Sequence, residues 1–131
     1  RRLALFSECI VANGTSEAPP TPGTLRICAH NHELALWMQD HLLKAWNAES
    51  LTPIDGNMLG SMATVYLPEN APNELDSCVA LRDEIYEKYA LEVPIFPIQG
   101  RGALRVSAQL YSSEEDIERL LAAISSIGIL E

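Results

Sequence analysis

Gly100-Arg101-Gly102-Ala103-Leu104-Arg105-Val106-Ser107-Ala108-Gln109-Leu110-Tyr111-Ser112-Ser113-Glu114-Glu115-Asp116-Ile117-Glu118-Arg119-Leu120-Leu121 reads as a glycine turn over Gly100-Arg101-Gly102, a short strand, a connection and a capped helix. Side chains on a strand alternate with a period of two. Across Ala103 to Ala108, Leu104 and Val106 therefore point to one side and Arg105 and Ser107 to the other. The apolar side is core. The other presents a guanidinium beside a hydroxyl, which can receive a carboxylate or phosphate, because arginine offers a planar fork of donors and keeps its charge. From the strand alone a plainer reading comes first: a surface arginine paired with one of the 18 acidic side chains. Beyond the strand, Ser112-Ser113-Glu114-Glu115 has a capping-box pattern, with a serine oxygen toward an early amide and Glu115 reaching back. The helix that follows buries Ile117, Leu120, Leu121 and Ile124, and Gly128 is its natural stop.

Working back from this stretch, Val93 to Ile98 is a short strand. Pro94 and Pro97 cannot donate to a ladder, so it belongs at an edge or is irregular. Before it, Leu75, Cys78, Val79, Arg82, Ile85, Tyr86 and Tyr89 form the inner stripe of a helix, capped by Asn73 and with Glu74 and Asp76 where the dipole favours acids. The two tyrosines read as core or rim aromatics. Gly60 to Leu67 alternates as a strand, with Ala63, Val65 and Leu67 on one face and Met62, Thr64 and Tyr66 on the other. A first helix runs from Thr24 to about Ala48, its stripe made by Ala35, Met38, Leu42, Ala45 and Trp46. Either Asn31 caps it or it begins earlier. Pro53 and Asp55-Gly56-Asn57 break it. The order is α-β-α-β-β-α. One apolar face per strand predicts an α+β fold, a three-stranded sheet with helices on one side.

Upstream of this domain, placed at 24–131, residues 1–23 divide into a segment with no clear period and a loop, Ser16 to Gly23, whose prolines fix φ and remove donors. Arg1, not methionine, stands first, as in a fragment or a processed form. Arg1-Arg2 followed by Leu3 to Phe6 is too short for a signal peptide, since Ser7 and Glu8 interrupt it. Asn13-Gly14-Thr15 fits a glycosylation sequon but lacks a secretory context.

Composition bounds the function. The 131 residues suit one domain. A net charge of −9 with two lysines, Lys44 and Lys88, argues against nucleic acid and anionic membranes as partners, because both need a basic footprint. Cys9, Cys28 and Cys78 are odd in number and lack a Cys-x-x-Cys pair, so reduced thiols in a cytoplasmic setting are expected, with no zinc site. No apolar run is long enough to span a membrane.

Few residues have the look of catalysts. On a helix His30 and His32 lie about 200° apart and His41 faces away from His32, so the three histidines share no ion. Cys78 falls on an apolar stripe as a small core residue. No nucleophile elbow or Walker-type loop occurs. A covalent aldehyde cofactor needs an activated lysine. Lys44 lies on a polar helix face, however, and Lys88 follows Glu84 by four residues, the spacing of a surface ion pair.

Three segments nevertheless carry a resemblance: Leu25-Arg26-Ile27-Cys28-Ala29-His30-Asn31-His32-Glu33-Leu34-Ala35; Leu81 to Tyr86 followed by Glu92-Val93-Pro94-Ile95; and Arg105-Val106-Ser107 with Tyr111 and an acidic capped helix after it. Together they resemble the C-terminal small domain of class V aminotransferase-like enzymes of pyridoxal-phosphate-dependent fold type I, in the isopenicillin N epimerase-like and cysteine desulfhydrase-like branch. The resemblance implies that Arg105 receives the substrate α-carboxylate and that the complete enzyme uses pyridoxal phosphate on an amino-acid substrate, by epimerisation, β-elimination or transamination. It also implies that a large domain, or a homodimer partner, supplies the cofactor lysine and the phosphate contacts. Ser112 departs from the family's asparagine, and residues 1–23 hold no counterpart of the large domain. On this reading the chain is not catalytic by itself and binds no cofactor tightly. The face with Arg105, Ser107, Met62 and Tyr66 would be left open for a partner. The alternatives are a non-catalytic interaction module that keeps the fold and an unrelated α+β anion-binding module.

Overall fold

The computed structural model describes residues 21–128. The expectations for residues 3–12, Cys9, the Asn13 sequon, the Arg1-Arg2 segment and most of the proline loop lie outside the described residues. Six elements follow in the predicted order: α1 (Pro22–Trp46), β1 (Met62–Tyr66), α2 (Leu75–Tyr89), β2 (Ile95–Ile98), β3 (Arg101–Ser107) and α3 (Glu114–Ser126).

The proline loop ends earlier than its composition suggests. Thr21 caps α1, its Oγ1 accepting from Thr24 N at 3.3 Å, and Pro22 takes the first helical position, where its missing N–H costs nothing. Asn31 is therefore no cap but a buried mid-helix residue. Ala35, Met38, Leu42 and Trp46 face the core as the stripe predicts, whereas Ala45 points to solvent. Gln39, which the pattern leaves off the stripe, is buried, because its Nε2 donates to Ser50 and Thr52 at 3.0 Å each and ties the following loop to α1. Asn47 in the left-handed region closes the helix.

β3 is the middle strand of an antiparallel sheet ordered β1-β3-β2. Pro97 stands on β2, an edge strand, as a residue without an N–H requires. Val65 and Ile95 both pair with Leu104, and Ala63 pairs with Val106, so these residues share the core face with Leu104. They join a single apolar cluster with Met38 and Leu42 of α1, Cys78, Leu81 and Ile85 of α2, and Ile117, Leu120 and Ile124 of α3. All three helices thus cover one side of the sheet, the predicted α+β arrangement.

Local details differ from the pattern reading in four places. The β2–β3 turn is Gln99-Gly100, both at positive φ (50° and 76°), the signature of a type I′ hairpin, and Gly102 lies inside β3. Glu74, not Asn73, precedes α2, and the Asn73 amide instead donates to the Gly100 carbonyl at 3.2 Å. The capping box sits one residue later than read, with Ser113 N–H donating to Asp116 Oδ2 at 3.0 Å, because Ser112 Oγ is turned to the strand end, where it donates to Ser107 O. Leu75 and Tyr86 are exposed and Leu121 is half-buried. Ala123 fills the inner stripe of α3, and Gly128 at φ 78° ends that helix.

Cys78 is fully buried on α2, and burial pushes its thiol above the ordinary value. The thiol is expected to resist alkylation in the native chain and to react once denaturant unfolds it; mass spectrometry after iodoacetamide pulses checks this. The linkage has a definite sign. The unfolded thiol ionises first, so above about pH 8.5 the unfolded state holds fewer protons and stability falls as pH rises.

Candidate functional site

β2 has four residues and β3 seven. Because Ile95 pairs with Leu104, β3 runs past the end of β2 at Arg105, whose N–H still reaches the Pro94 carbonyl at 3.1 Å. A cleft of about 540 Å³ opens beside this overhang. The segment from Ala90 to Pro94 bounds it on one side, and the β3–α3 connection with the first turns of α3 bounds it on the other. Arg105, Ser107, Tyr111, Ser112 and Arg119 line it. Leu110 and Tyr111 are exposed on the connection.

Arg105 is half-buried on β3, opposite Thr64 of β1 and away from the core face. Its Nε is buried and has no hydrogen-bond partner. Three other arginines have a carboxylate close by: Arg82 with Asp83 at 2.7 Å, Arg101 with Glu49 at 3.2 Å, and Arg119 with Asp116 at 3.8 Å. Among the described residues Arg105 has no such partner, and the only other arginine without one is the exposed Arg26. The plain reading of a surface arginine neutralised by a neighbouring acid does not describe it. It is a half-buried guanidinium with no carboxylate beside it, in a chain of net charge −9.

The rest of this sheet face is less open than the alternation suggests. Tyr66 is 8% exposed, because the Arg101 guanidinium lies 4.2 Å from its ring centroid and its hydroxyl donates to Gln99 Oε1. Ala103, between Tyr66 and Phe96 in register, is fully buried. Met62, Thr64 and Phe96 are half-buried, and Ser107 is exposed. Sequence reasoning missed the Arg101–Tyr66–Glu49 set. Its signal, a like-facing arginine and tyrosine, becomes visible only once the register of β1 on β3 is known.

The remaining sequence candidates sit apart from the cleft. His41 stacks on Trp37 with centroids 4.6 Å apart, and its Nε2 lies 2.9 Å from Glu118 on α3. Among the described residues no three His, Cys, Asp or Glu side chains gather as a metal site. Lys44 pairs with Asp40 at 2.7 Å and Lys88 with Glu84 at 2.6 Å, both at i,i+4 and both exposed. The Glu84 carboxylate raises the Lys88 ammonium, the opposite of what activates a lysine nucleophile. Neither lysine lines the cleft. The α3 N-terminus, where a phosphate could otherwise rest, opens with Glu114, Glu115 and Asp116. Neither lysine is therefore placed or activated to hold pyridoxal phosphate covalently in this cleft.

No helix among the described residues is long and apolar enough to cross a membrane. No family model matches the chain. It is 34% identical over 106 residues to the probable L-cysteine desulfhydrase, chloroplastic, of Arabidopsis thaliana, an alignment covering 74% of this chain and 22% of that protein. It is 26% identical over 103 residues to isopenicillin N epimerase of Amycolatopsis lactamdurans, covering 79% of this chain and 25% of that one. The chloroplastic relative does not fit a strictly cytoplasmic expectation. The chain spans about a quarter of the length of the curated relatives it matches, and is thus similar, over most of its residues, to a part of an epimerase and a part of a desulfhydrase.

Proposed function

We propose that this chain is the C-terminal small domain of a pyridoxal-phosphate-dependent, class V aminotransferase-like enzyme of the epimerase and desulfhydrase branch. In that role Arg105 receives the α-carboxylate of an amino-acid substrate. The observation that carries the reading is the half-buried guanidinium with a buried, unpartnered Nε and no carboxylate beside it. The similarity to two amino-acid-type enzymes supports it. Arg105 orients the substrate and balances its charge; it transfers no proton, since a guanidinium does not give one up near neutrality. Ser107 and the β3–α3 connection shape the mouth of the cleft. The lysine and the phosphate contacts come from a large domain or a partner subunit, because the lysines of this chain are committed to surface ion pairs.

The test has two arms on the 131-residue chain. Titration with pentanoate, followed by amide NMR shifts, is expected to move signals around Arg105 and Pro94, and to move none there in Arg105→Gln. Incubation with pyridoxal phosphate, borohydride reduction and peptide mapping is expected to give no stoichiometric adduct on Lys44 or Lys88. Pentanoate shifts that persist in the variant would remove Arg105 from the role. A stoichiometric lysine adduct would give the fragment a cofactor site of its own. Silence in the first arm favours the non-catalytic interaction module.

A further inference from the structure

Arg119 joins α3, which forms one wall of the cleft, to the root of the other wall. Its Nη2 donates at 3.2 Å to the carbonyl of Tyr89, the last residue of α2. That carbonyl is among the helix-end acceptors without an intrahelical donor, and it stands at the negative end of the helix dipole. The cation of the last turn of α2, Lys88, is committed to Glu84 at 2.6 Å, so α3 supplies the charge instead. Beyond Tyr89 the chain turns through Ala90, held at φ 53°, a conformation that L-residues rarely adopt. It then runs to Pro94, whose carbonyl accepts the Arg105 N–H at 3.1 Å. This wall is thinly packed: from Ala90 to Pro94 only Leu91 is buried, and Ala90 and Glu92 are exposed. Its position therefore leans on the polar ties at its two ends, Tyr89 and Pro94.

We infer that Arg119 is a positioning residue: it straps the Ala90–Pro94 wall to α3 and, through Pro94, holds the backbone of Arg105 where its guanidinium meets a carboxylate. The inference rests on the carboxylate reading of Arg105 and adds to it the tie that keeps the receiver in place. The effect runs along the backbone, from the Tyr89 carbonyl to the Pro94 carbonyl to the Arg105 N–H, and requires no approach of the two guanidinia. Pairing of β2 with β3 ends at Ile95 and Leu104, so the Pro94 carbonyl is what ties Arg105 on that flank, with Thr64 of β1 on the other. The rival is an ordinary surface ion pair between Arg119 and Asp116. Two distances speak against it. Asp116 Oδ1 lies 3.8 Å from Nη1, beyond hydrogen-bond length, and Oδ2 accepts from the Ser113 N–H at 3.0 Å in the α3 cap.

The experiment measures amide hydrogen exchange and pentanoate binding by NMR on the 131-residue chain, in wild type, Arg119→Met and Arg119→Lys. Methionine keeps an unbranched stem and removes every donor. In that variant the Arg105 N–H is expected to exchange about ten-fold faster, the loss of one charge-assisted bond partly screened by water. The Leu67 N–H on the Gly102 carbonyl and the Ala108 N–H on the Ser61 carbonyl, at the two ends of β1, should keep their wild-type rates. Pentanoate should bind about three-fold more weakly. Arg119→Lys should recover part of both effects, since it restores a charged donor but not the fork. An unchanged Arg105 exchange rate in Arg119→Met overturns the inference. So does an acceleration shared equally by Leu67 and Ala108, which would mean global destabilisation, and so does faster exchange with pentanoate affinity untouched. Each of these leaves the carboxylate reading standing. Pentanoate binding that is indifferent to Arg105→Gln, a variant in which Arg119 is intact, overturns the carboxylate reading and the role of Arg119 with it.

Discussion

Gly102→Ala is expected to destabilise the fold by about 2–3 kcal/mol, the cost of overpacking against atoms that cannot step aside. A Cβ built at Gly102 lies 2.2 Å from the carbonyl oxygen of Pro72, a backbone atom. That carbonyl is held in place from several directions. Cys78 Sγ donates to it at 3.4 Å, Ala71 N closes the preceding turn onto Pro68 O at 2.9 Å, and the Asn73 amide anchors the next residue to Gly100 O. Gly102 itself is pinned by its pairing with Pro97 and by Leu67 N–H donating to its carbonyl at 2.9 Å. Neither side can yield without breaking a bond that the other strand or helix needs. Gly100→Ala is the control: φ there is +76° but nothing lies within 4 Å of the new Cβ, so only the left-handed conformation is penalised, by about 1 kcal/mol. Urea unfolding of both variants measures the difference as a midpoint shift at constant slope. A Gly102→Ala loss no larger than that of Gly100→Ala would show that the Pro72 turn moves freely.

That glycine marks the boundary of what could be read in the residues. Leu104 and Val106 against Arg105 and Ser107 declare a strand with one buried face, because a period of two is a property of neighbours along the chain. Pro97 in β2 and Pro94 just before it declare an edge, because a missing N–H is equally local. The inner stripe of α1 is legible for the same reason. Gly102 read as part of a turn, since glycine in sequence signals freedom of φ, while here it answers a backbone approaching from thirty residues upstream. Cap positions slipped by one residue at α2 and α3, because Asn73 and Ser112 found partners in other elements, Gly100 and Ser107. Arg105 was legible as a candidate, but not its lack of a carboxylate. Whether any of the 18 acids reaches it is a question of tertiary placement.

Arg105→Met is expected to separate stability from function, with the larger effect on function. Methionine keeps an unbranched stem for the half-buried site and removes a charge whose Nε is buried without a partner. Folding stability should therefore stay within about 1 kcal/mol of wild type, or rise, as when unsatisfied buried polar groups are replaced by apolar ones. In the complete enzyme implied by the proposed function, the same change removes a charge-assisted fork from the substrate carboxylate. Losses of about 2–5 kcal/mol are usual for such pairs, a fall in kcat/KM of roughly thirty-fold to several thousand-fold. The loss should fall on KM if Arg105 only holds the substrate, and on kcat as well if holding it in register aligns the reacting bond. Arg105→Lys should recover part of the activity, since an ammonium restores the charge but not the planar fork. A purely structural arginine would behave in the opposite way: the methionine variant would unfold at lower urea, and the enzyme's loss of activity would follow its loss of folded protein. Measuring urea midpoint and kcat/KM on the same preparations distinguishes the two, because a carboxylate receiver predicts that the first is unchanged while the second collapses.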